Sequence, residues 1–206
     1  MIIPDSYRQR VASRSFLRYA IGYCVRLGHY VKYDLRRRIA RLGGAKIGKN
    51  SLIPWKLARM ANANLEIGDD VSINSSGFDL RGKIIIKDNV IINRDVEIIR
   101  WSHDYNSPDF KLRKYPPLVI EPYTWLATGC KILPSCTKVA YGSVIGAFSV
   151  VVKDTEENGV YSGFPAQKIR SKTSVWSDLV IVSMNAGDWQ YYRKAKCKQA
   201  IKEAKM

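Results

Sequence analysis

Two histidines occur in the chain, His29 and His103. An imidazole, with an ordinary pKa of about 6.5, suits the removal of a proton from a hydroxyl at neutral pH. His103 stands in the run Trp101-Ser102-His103-Asp104-Tyr105, whereas His29 sits in a basic stretch and reads as a surface or packing residue. Taken alone, His103 reads as a loop histidine satisfied by Asp104 or by backbone before it reads as a proton acceptor. The four cysteines, Cys24, Cys130, Cys136 and Cys197, contain no C-x-x-C and fit no zinc spacing. They point to reduced thiols in a cytoplasmic setting. No trio of side chains implies a required metal.

The elements that position His103 follow from a repeat. Apolar residues recur every six positions at Ile47, Ile53, Ile67, Ile73, Leu80, Ile86, Ile92 and Ile98, then at Ile120, Leu126, Ile132, Val139, Ile145 and Val151. Two intervals, Ile73 to Leu80 and Ile132 to Val139, are seven and hide one inserted residue each. Neither helical periodicity nor two-residue alternation produces this pattern. A short fixed period marks a solenoid of the parallel β-helix class. Each hexapeptide supplies a short strand and a turn, and three of them make one triangular coil. A smaller inward residue often follows four places after the first: Val71, Val90, Val96, Cys130, Cys136 or Ser149. Cys130 and Cys136 are therefore expected as core filler. Gly68, Asp69, Asp70, Asp88, Asn89, Gly142 and Gly146 suit tight corners. The repeat breaks over residues 99–119, so the solenoid is expected to extrude a loop there, carrying His103.

Composition sets the outer bounds. Apolar residues make up 46% of the chain and aromatics 11%, which excludes wholesale disorder. The apolar run Tyr19–Val25 falls well short of the ~20 residues that a spanning helix needs, and no signal-peptide pattern is visible. The net charge of +16 is uneven: +8 over residues 1–45, +2 over 46–167 and +6 over 168–206. The expected organisation is a basic amphipathic helical extension over 1–45, the β-helix over 46–170, and a basic, partly helical extension over 171–206. In the first segment Phe16, Leu17 and Tyr23 alternate with arginines, as in a helix pair broken at Gly22 and Gly28. Such a segment can lie on an anionic membrane surface, or cap the core with its arginines solvated. No recognition-helix, zinc-finger or RRM pattern accompanies the charge, so no nucleic-acid partner is expected.

The specific motifs come in a fixed order: Ser102-His103-Asp104-Tyr105, Pro108-x-Phe110, Ile120-Glu-Pro-Tyr-Thr-Trp125, Ile132-Leu-Pro134, Val144-Ile-Gly-Ala147-x-Ser149-Val-Val-x-Lys153-Asp154, and Gly163-Phe-Pro165-Ala166-Gln-Lys-Ile-Arg170. Over about 65–170 the chain thereby resembles the hexapeptide-repeat acyltransferases. The nearest pattern is the polysaccharide O-acetyltransferase branch, with its colanic-acid and capsule biosynthesis enzymes. Val152 stands where the family often has Thr, and Phe164-Pro165-Ala166-Gln167 where it usually has Asn-Pro-Ala-Lys.

The resemblance implies an all-β fold, a left-handed parallel β-helix, and acetyl-CoA as co-substrate without a metal. It implies that His103 is the general base for direct transfer to a sugar hydroxyl of a surface polysaccharide or its lipid-linked precursor. Asn74, Asp104 and Tyr105 would face the acceptor. Trp125, Ala127, Thr128, Ala147, Lys153 and Arg170 would face the coenzyme, with the N–H of Ala127 or Thr128 as oxyanion donor. The family assembles as homotrimers with sites between neighbours; the expected location is the cytoplasm, with peripheral association at the inner face of the membrane as the further option. Two other readings stand beside this one: an N-acyltransferase of a sugar nucleotide, and an inactive β-helix scaffold. A carbonic anhydrase on this fold needs three histidine ligands, which two histidines cannot supply.

Overall fold

A computed structural model of the chain describes residues 13–173. Helix α1 (Phe16–Leu42) leads into a parallel β-solenoid interrupted early by the short helix α2 (Trp55–Met60). The solenoid unit comprises residues 35–177, and α1 up to Asp34 belongs to a second unit. The basic extension expected over 171–206 lies almost wholly outside the described residues.

Three parallel sheets form the faces of the solenoid. Face A stacks β1 (Lys46–Ile47), β2 (Leu65–Ile67), β5 (Ile84–Ile86), β10 (Leu118–Ile120) and β13 (Lys138–Val139). Face B stacks β3 (Ser72–Ile73), β6 (Ile91–Ile92), β11 (Trp125–Leu126), β14 (Val144–Ile145) and β16 (Gly159–Gly163), and β17 (Ala166–Ser171) then folds back antiparallel on β16. Face C stacks β4 (Gly77–Phe78), β7 (Glu97–Ile98), β12 (Lys131–Ile132) and β15 (Val150–Val151). Within each face the inward residues sit in register: Ile67, Ile86, Ile120 and Val139 on A, Ile73, Ile92, Leu126 and Ile145 on B, Ile98, Ile132 and Val151 on C. Every residue of the six-residue series is buried.

One rung departs from the expected series. On face C the partner of Ile98 is Phe78, not Leu80, although both are buried. The extra residues between coils therefore all fall at one edge, where face C passes to face A: after Phe78, after Ile98 and after Ile132.

Cys130 and Cys136 are fully buried, and burial pushes both thiols up to about 12, so they remain neutral filler at physiological pH. The corners use left-handed backbone at Asn50, Asp70, Asn89, Asp95 and Gly142, which Asn, Asp and Gly adopt at little strain. Asp carboxylates tie coil to coil: Asp69 Oδ1 accepts the Lys49 N–H (2.6 Å), and Asp88 Oδ1 accepts the Asp69 N–H (2.7 Å). Gly68 is required beneath that contact, since a Cβ there would stand 2.1 Å from Asp88 Oδ1.

Helix α1 is unbroken, in contrast to the pair expected from Gly22 and Gly28. A glycine costs a helix only about 1 kcal/mol relative to alanine, which a helix of 27 residues absorbs. It ends at Leu42, and the φ of +96° at Gly44 lets the chain turn into β1. Its last turns close the open end of the solenoid. Arg36 donates to the Ile53 carbonyl (3.0 Å), the buried Arg37 to that of Ser51 (3.2 Å), and Arg41 to that of Ile47 (2.6 Å). A first coil has no coil beneath it, so its outward carbonyls need donors from elsewhere.

Asp154 performs the equivalent task at the face C to face A edge. Its Oδ1 accepts the N–H groups of Thr137 (2.6 Å) and Lys138 (2.9 Å), and its Oδ2 accepts the Thr137 hydroxyl (2.9 Å). Burial opposes the charge, but these donors outweigh it and hold the carboxyl below its ordinary range. A depressed folded pKa gives stability that is present above the unfolded value and lost as pH falls through the folded one. Asp154→Asn should therefore melt below the parent at pH 7, with the gap closing in acid below the carboxylate range. Thermal denaturation across pH checks this; a gap independent of pH would contradict it.

Candidate functional site

Residues 101–114 form a hairpin rather than an irregular loop: β8 (Trp101–His103) pairs antiparallel with β9 (Leu112–Lys114), His103 opposite Leu112. Asp104 N–H donates to the Lys111 carbonyl (2.8 Å), and the turn beyond is closed by Asn106 N–H on Asp104 Oδ1 (3.0 Å). The imidazole is held by backbone: His103 Nδ1–H donates to the Phe110 carbonyl oxygen at 2.6 Å. A carbonyl only accepts, so the proton is on Nδ1 and the lone pair is on Nε2. Asp104 is thus engaged with the hairpin turn, and the imidazole's partner is Phe110. Phe110 carries φ +47°, an uncommon conformation for a bulky residue and the one that presents its carbonyl to the ring. Tyr105 is fully outside, 81% exposed.

The neck of this hairpin is clamped by residues that the sequence reading did not single out. Arg100, 1% exposed, donates through Nη1 to the carbonyls of Cys136 (2.9 Å) and Pro134 (3.3 Å), and through Nη2 to that of Pro116. Burial lowers its pKa from arginine's ordinary value. Its backbone N–H donates to Asp79 Oδ2 (3.3 Å). Asp79 also accepts Arg81 Nε–H (2.7 Å), and the Arg81 guanidinium lies 5.4 Å from the Trp101 ring centroid.

A second cluster lies at another edge, where face B passes to face C. The ladder bonds Asn74 N–H to Ile92 O (2.8 Å), Asn93 N–H to Leu126 O (3.0 Å), Ala127 N–H to Ile145 O (2.9 Å) and Gly146 N–H to Tyr161 O (2.8 Å) stack Asn74, Asn93, Ala127 and Gly146 in one column. The next column holds Arg94, Thr128 and Ala147, whereas Ser75 of the shorter first corner is buried with its hydroxyl on the Val96 carbonyl (2.7 Å). The Ala127 N–H is therefore committed to the ladder and is not available to an oxyanion. The Thr128 and Ala147 N–H groups make no hydrogen bond among the described residues. A polar cavity of about 270 Å³ adjoins the base of these columns, bounded by Lys56, Asn74, Asp95 and Glu97.

Four expected residues, Asn74, Ala127, Thr128 and Ala147, thus come together on this edge. Trp125 is close by on the outer side of face B, 44% exposed. Lys153 follows β15 at the face C to face A edge, and Arg170 lies on β17 opposite Val160. Within one chain, His103, Asp104 and Tyr105 stand across face C from Asn74. Asn93 and Arg94 share the columns of expected residues and were missed, although the ladder aligns Asn93 with Asn74 and Ala127, and Arg94 with Thr128 and Ala147.

Comparison with known proteins gives the same architecture. No sequence model of a protein family matches the chain. A protein of Escherichia coli K12 named as the colanic acid biosynthesis acetyltransferase WcaF is 36% identical over 150 residues, 69% of this chain and 78% of that protein. The galactoside O-acetyltransferase of Lactococcus lactis is 33% identical over 129 residues, 59% of this chain and 60% of that protein. Among solved structures, a hexapeptide-repeat acetyltransferase of Vibrio cholerae complexed with acetyl-CoA superposes with a TM-score of 0.51 at 21% identity, over 81% of this chain and 85% of that one.

Proposed function

From the premise that the chain belongs to the hexapeptide-repeat, left-handed β-helix acyltransferases, we propose that it transfers an acetyl group from acetyl-CoA to a sugar hydroxyl, with His103 as general base. The observation that carries this reading is the Nδ1 contact to the Phe110 carbonyl, which leaves Nε2 as the free base. The acceptor is a surface polysaccharide or its lipid-linked precursor, in keeping with the colanic acid relative. Nε2 takes the hydroxyl proton while the oxygen attacks the thioester carbonyl. The oxyanion accepts a hydrogen bond from the Thr128 N–H, and the departing thiolate recovers the proton from the imidazolium. No acyl-enzyme forms.

The coenzyme fits the edge between faces B and C. Small residues, Ala127, Gly146 and Ala147, leave the edge flat, and the N–H groups of Thr128 and Ala147 face a linear ligand one coil apart, roughly 4.8 Å. Trp125 flanks the arm. Arg94 and Arg170 supply charges for the phosphates, with Lys153 reaching them from the face C to face A edge of a neighbouring subunit. The cavity beside Asn74 takes the acceptor, whose hydroxyls suit its mixture of Lys56, Asp95 and Glu97.

The site is completed in a homotrimer. The edges bearing Asn74 and His103 both flank face C. With face C turned toward a three-fold axis, the His103 hairpin of one subunit meets the Asn74 edge of its neighbour. The enzyme works at the cytoplasmic face of the membrane. No helix among the described residues is long and apolar enough to cross a bilayer, but α1 exposes Leu17, Ile21, Val25 and Val31, each more than half exposed, near Arg14, Arg18 and Lys32.

His103→Ala should lower turnover by about two to four orders of magnitude with the melting temperature unchanged; thiol release from acetyl-CoA at saturating acceptor measures it, and near-normal turnover would remove the base. Co-expressed His103→Ala and Asn74→Ala chains should recover activity that neither has alone, through mixed trimers containing intact sites. Failure to recover, with mixed trimers present by mass spectrometry, would place both residues in one chain's site. Sedimentation with vesicles should rise with anionic lipid, fall with salt and weaken on Leu17→Ser with Ile21→Ser. Equal binding to neutral and anionic vesicles would oppose the membrane role.

A further inference from the structure

Among the described residues two guanidiniums are buried, and while Arg37 closes the first coil, Arg100 stands beside the His103 hairpin and is not used by the transfer chemistry above. Arg100 is the second residue after strand β7, at the point where the chain leaves face C for the hairpin. Its side chain turns back into the body while the backbone continues outward to Trp101, Ser102 and His103. Its three acceptors come from two places. Pro116 is on the returning arm of the excursion, two residues before face A resumes at Leu118. Pro134 and Cys136 belong to the equivalent corner of the next coil. One planar cation therefore ties the outgoing arm, the returning arm and the coil above into a single joint. A guanidinium suits this task because its donors lie in a fixed plane and can serve several carbonyls at once, which an ammonium on a flexible stem does less well.

The other side of the joint is closed as well. Asp79, in the corner of the coil below, accepts the Arg100 backbone N–H, and through Arg81 it places a guanidinium over the Trp101 ring. Gly82 in that same corner leaves room for the Arg100 stem: a Cβ there would stand 2.6 Å from Arg100 Cβ. All these contacts lie within the solenoid unit, and His103 is three residues beyond Arg100. From this joint to the imidazole there is one two-stranded hairpin, an element only marginally stable alone. Its direction is fixed at its base.

We propose that Arg100, supported by the Asp79–Arg81–Trp101 cluster, is the positioning residue of the site: it orients the hairpin so that His103 reaches the reacting hydroxyl of the acceptor. The proposal rests on His103 being the base. It predicts that Arg100 acts on catalysis through His103 and through nothing else. A misplacement of about 1 Å at a catalytic group can lower turnover on the order of a hundredfold. The loss should appear in kcat, with the KM for acetyl-CoA little changed, because none of the joint's contacts is made by a residue assigned to the coenzyme.

A double-mutant cycle separates positioning from general structural support. Arg100→Met should lower kcat on the order of 10- to 100-fold in the otherwise unaltered trimer. In the His103→Ala background the same substitution should change the residual turnover less than about twofold, since no base is left to misplace. Equal fold-losses in both backgrounds would overturn the proposal, as would a kcat for Arg100→Met within twofold of the parent. Should Arg100→Met fail to fold, Arg81→Met answers the same question from the exposed side of the joint. It removes the cation over Trp101 and the pairing of Asp79, and the same contrast between backgrounds is expected at smaller amplitude. The His103→Ala chain by itself tests the base; the coupling between the two substitutions tests the joint.

Discussion

Parallel register is the constraint on which the rest of this structure depends. Each strand of a coil must present its inward residue directly above that of the coil below, because its backbone hydrogen bonds go to that neighbour and not to its own turn. Leu126 cannot slip by one residue without exchanging its place with Trp125 and carrying an indole into a filled core. Every corner must therefore return the chain to the same phase. Extra residues are tolerated only where they leave both flanking ladders in register. In this chain they gather at the edge between face C and face A, as two extra residues, then a long hairpin, then one.

That constraint divides the chemistry between two kinds of support. The edge between faces B and C keeps one corner length in the coils of Ile92, Leu126 and Ile145 and is one residue shorter after Ile73, so in those three coils its columns of backbone groups repeat at the coil spacing and are held by ladder bonds. Such an edge suits a long, linear, unvarying ligand. The edge between faces C and A accepts insertions, so it can carry a side chain far from the body, and His103 is carried there. The liability of an extruded arm is its direction. The buried Arg100 joint answers that liability with groups taken from the arm itself and from the coils on both sides.

Much of this was legible in the sequence, and the reasons for the exceptions are physical. The six-residue series located the core because burial on a solenoid is strictly periodic, and every residue it named is buried. The series misnumbered one rung, preferring Leu80 to Phe78, because both are apolar and only ladder pairing distinguishes a rung from a corner residue. Asn74, Ala127, Thr128 and Ala147 were named from the family resemblance, and the stacking of coils brings them to one edge. Arg100 was invisible: a charged residue at the start of a loop reads as solvated surface, and nothing local reveals three carbonyls converging on it. The Ala127 N–H was named as a donor from its position, yet only the ladder shows that it is already bonded to Ile145. Helix α1 was read as broken because glycine weakness was weighed residue by residue, whereas a long helix averages it.

The positive charge of the N-terminal segment also reads differently once its contacts are known. Arithmetic treats all ten of its basic residues alike, but Arg36, Arg37 and Arg41 are hydrogen-bonded to the carbonyls of the first coil. A guanidinium so engaged still contributes to the long-range field and cannot also reach out to a lipid phosphate. The charge is therefore divided along one helix between cations engaged with the first coil and cations that make none of these carbonyl contacts. The last turns close the solenoid, where open carbonyls would otherwise invite another strand. The earlier turns, with Leu17, Ile21, Val25 and Val31 exposed beside Arg14, Arg18 and Lys32, retain the combination of apolar surface and cation that an anionic interface selects.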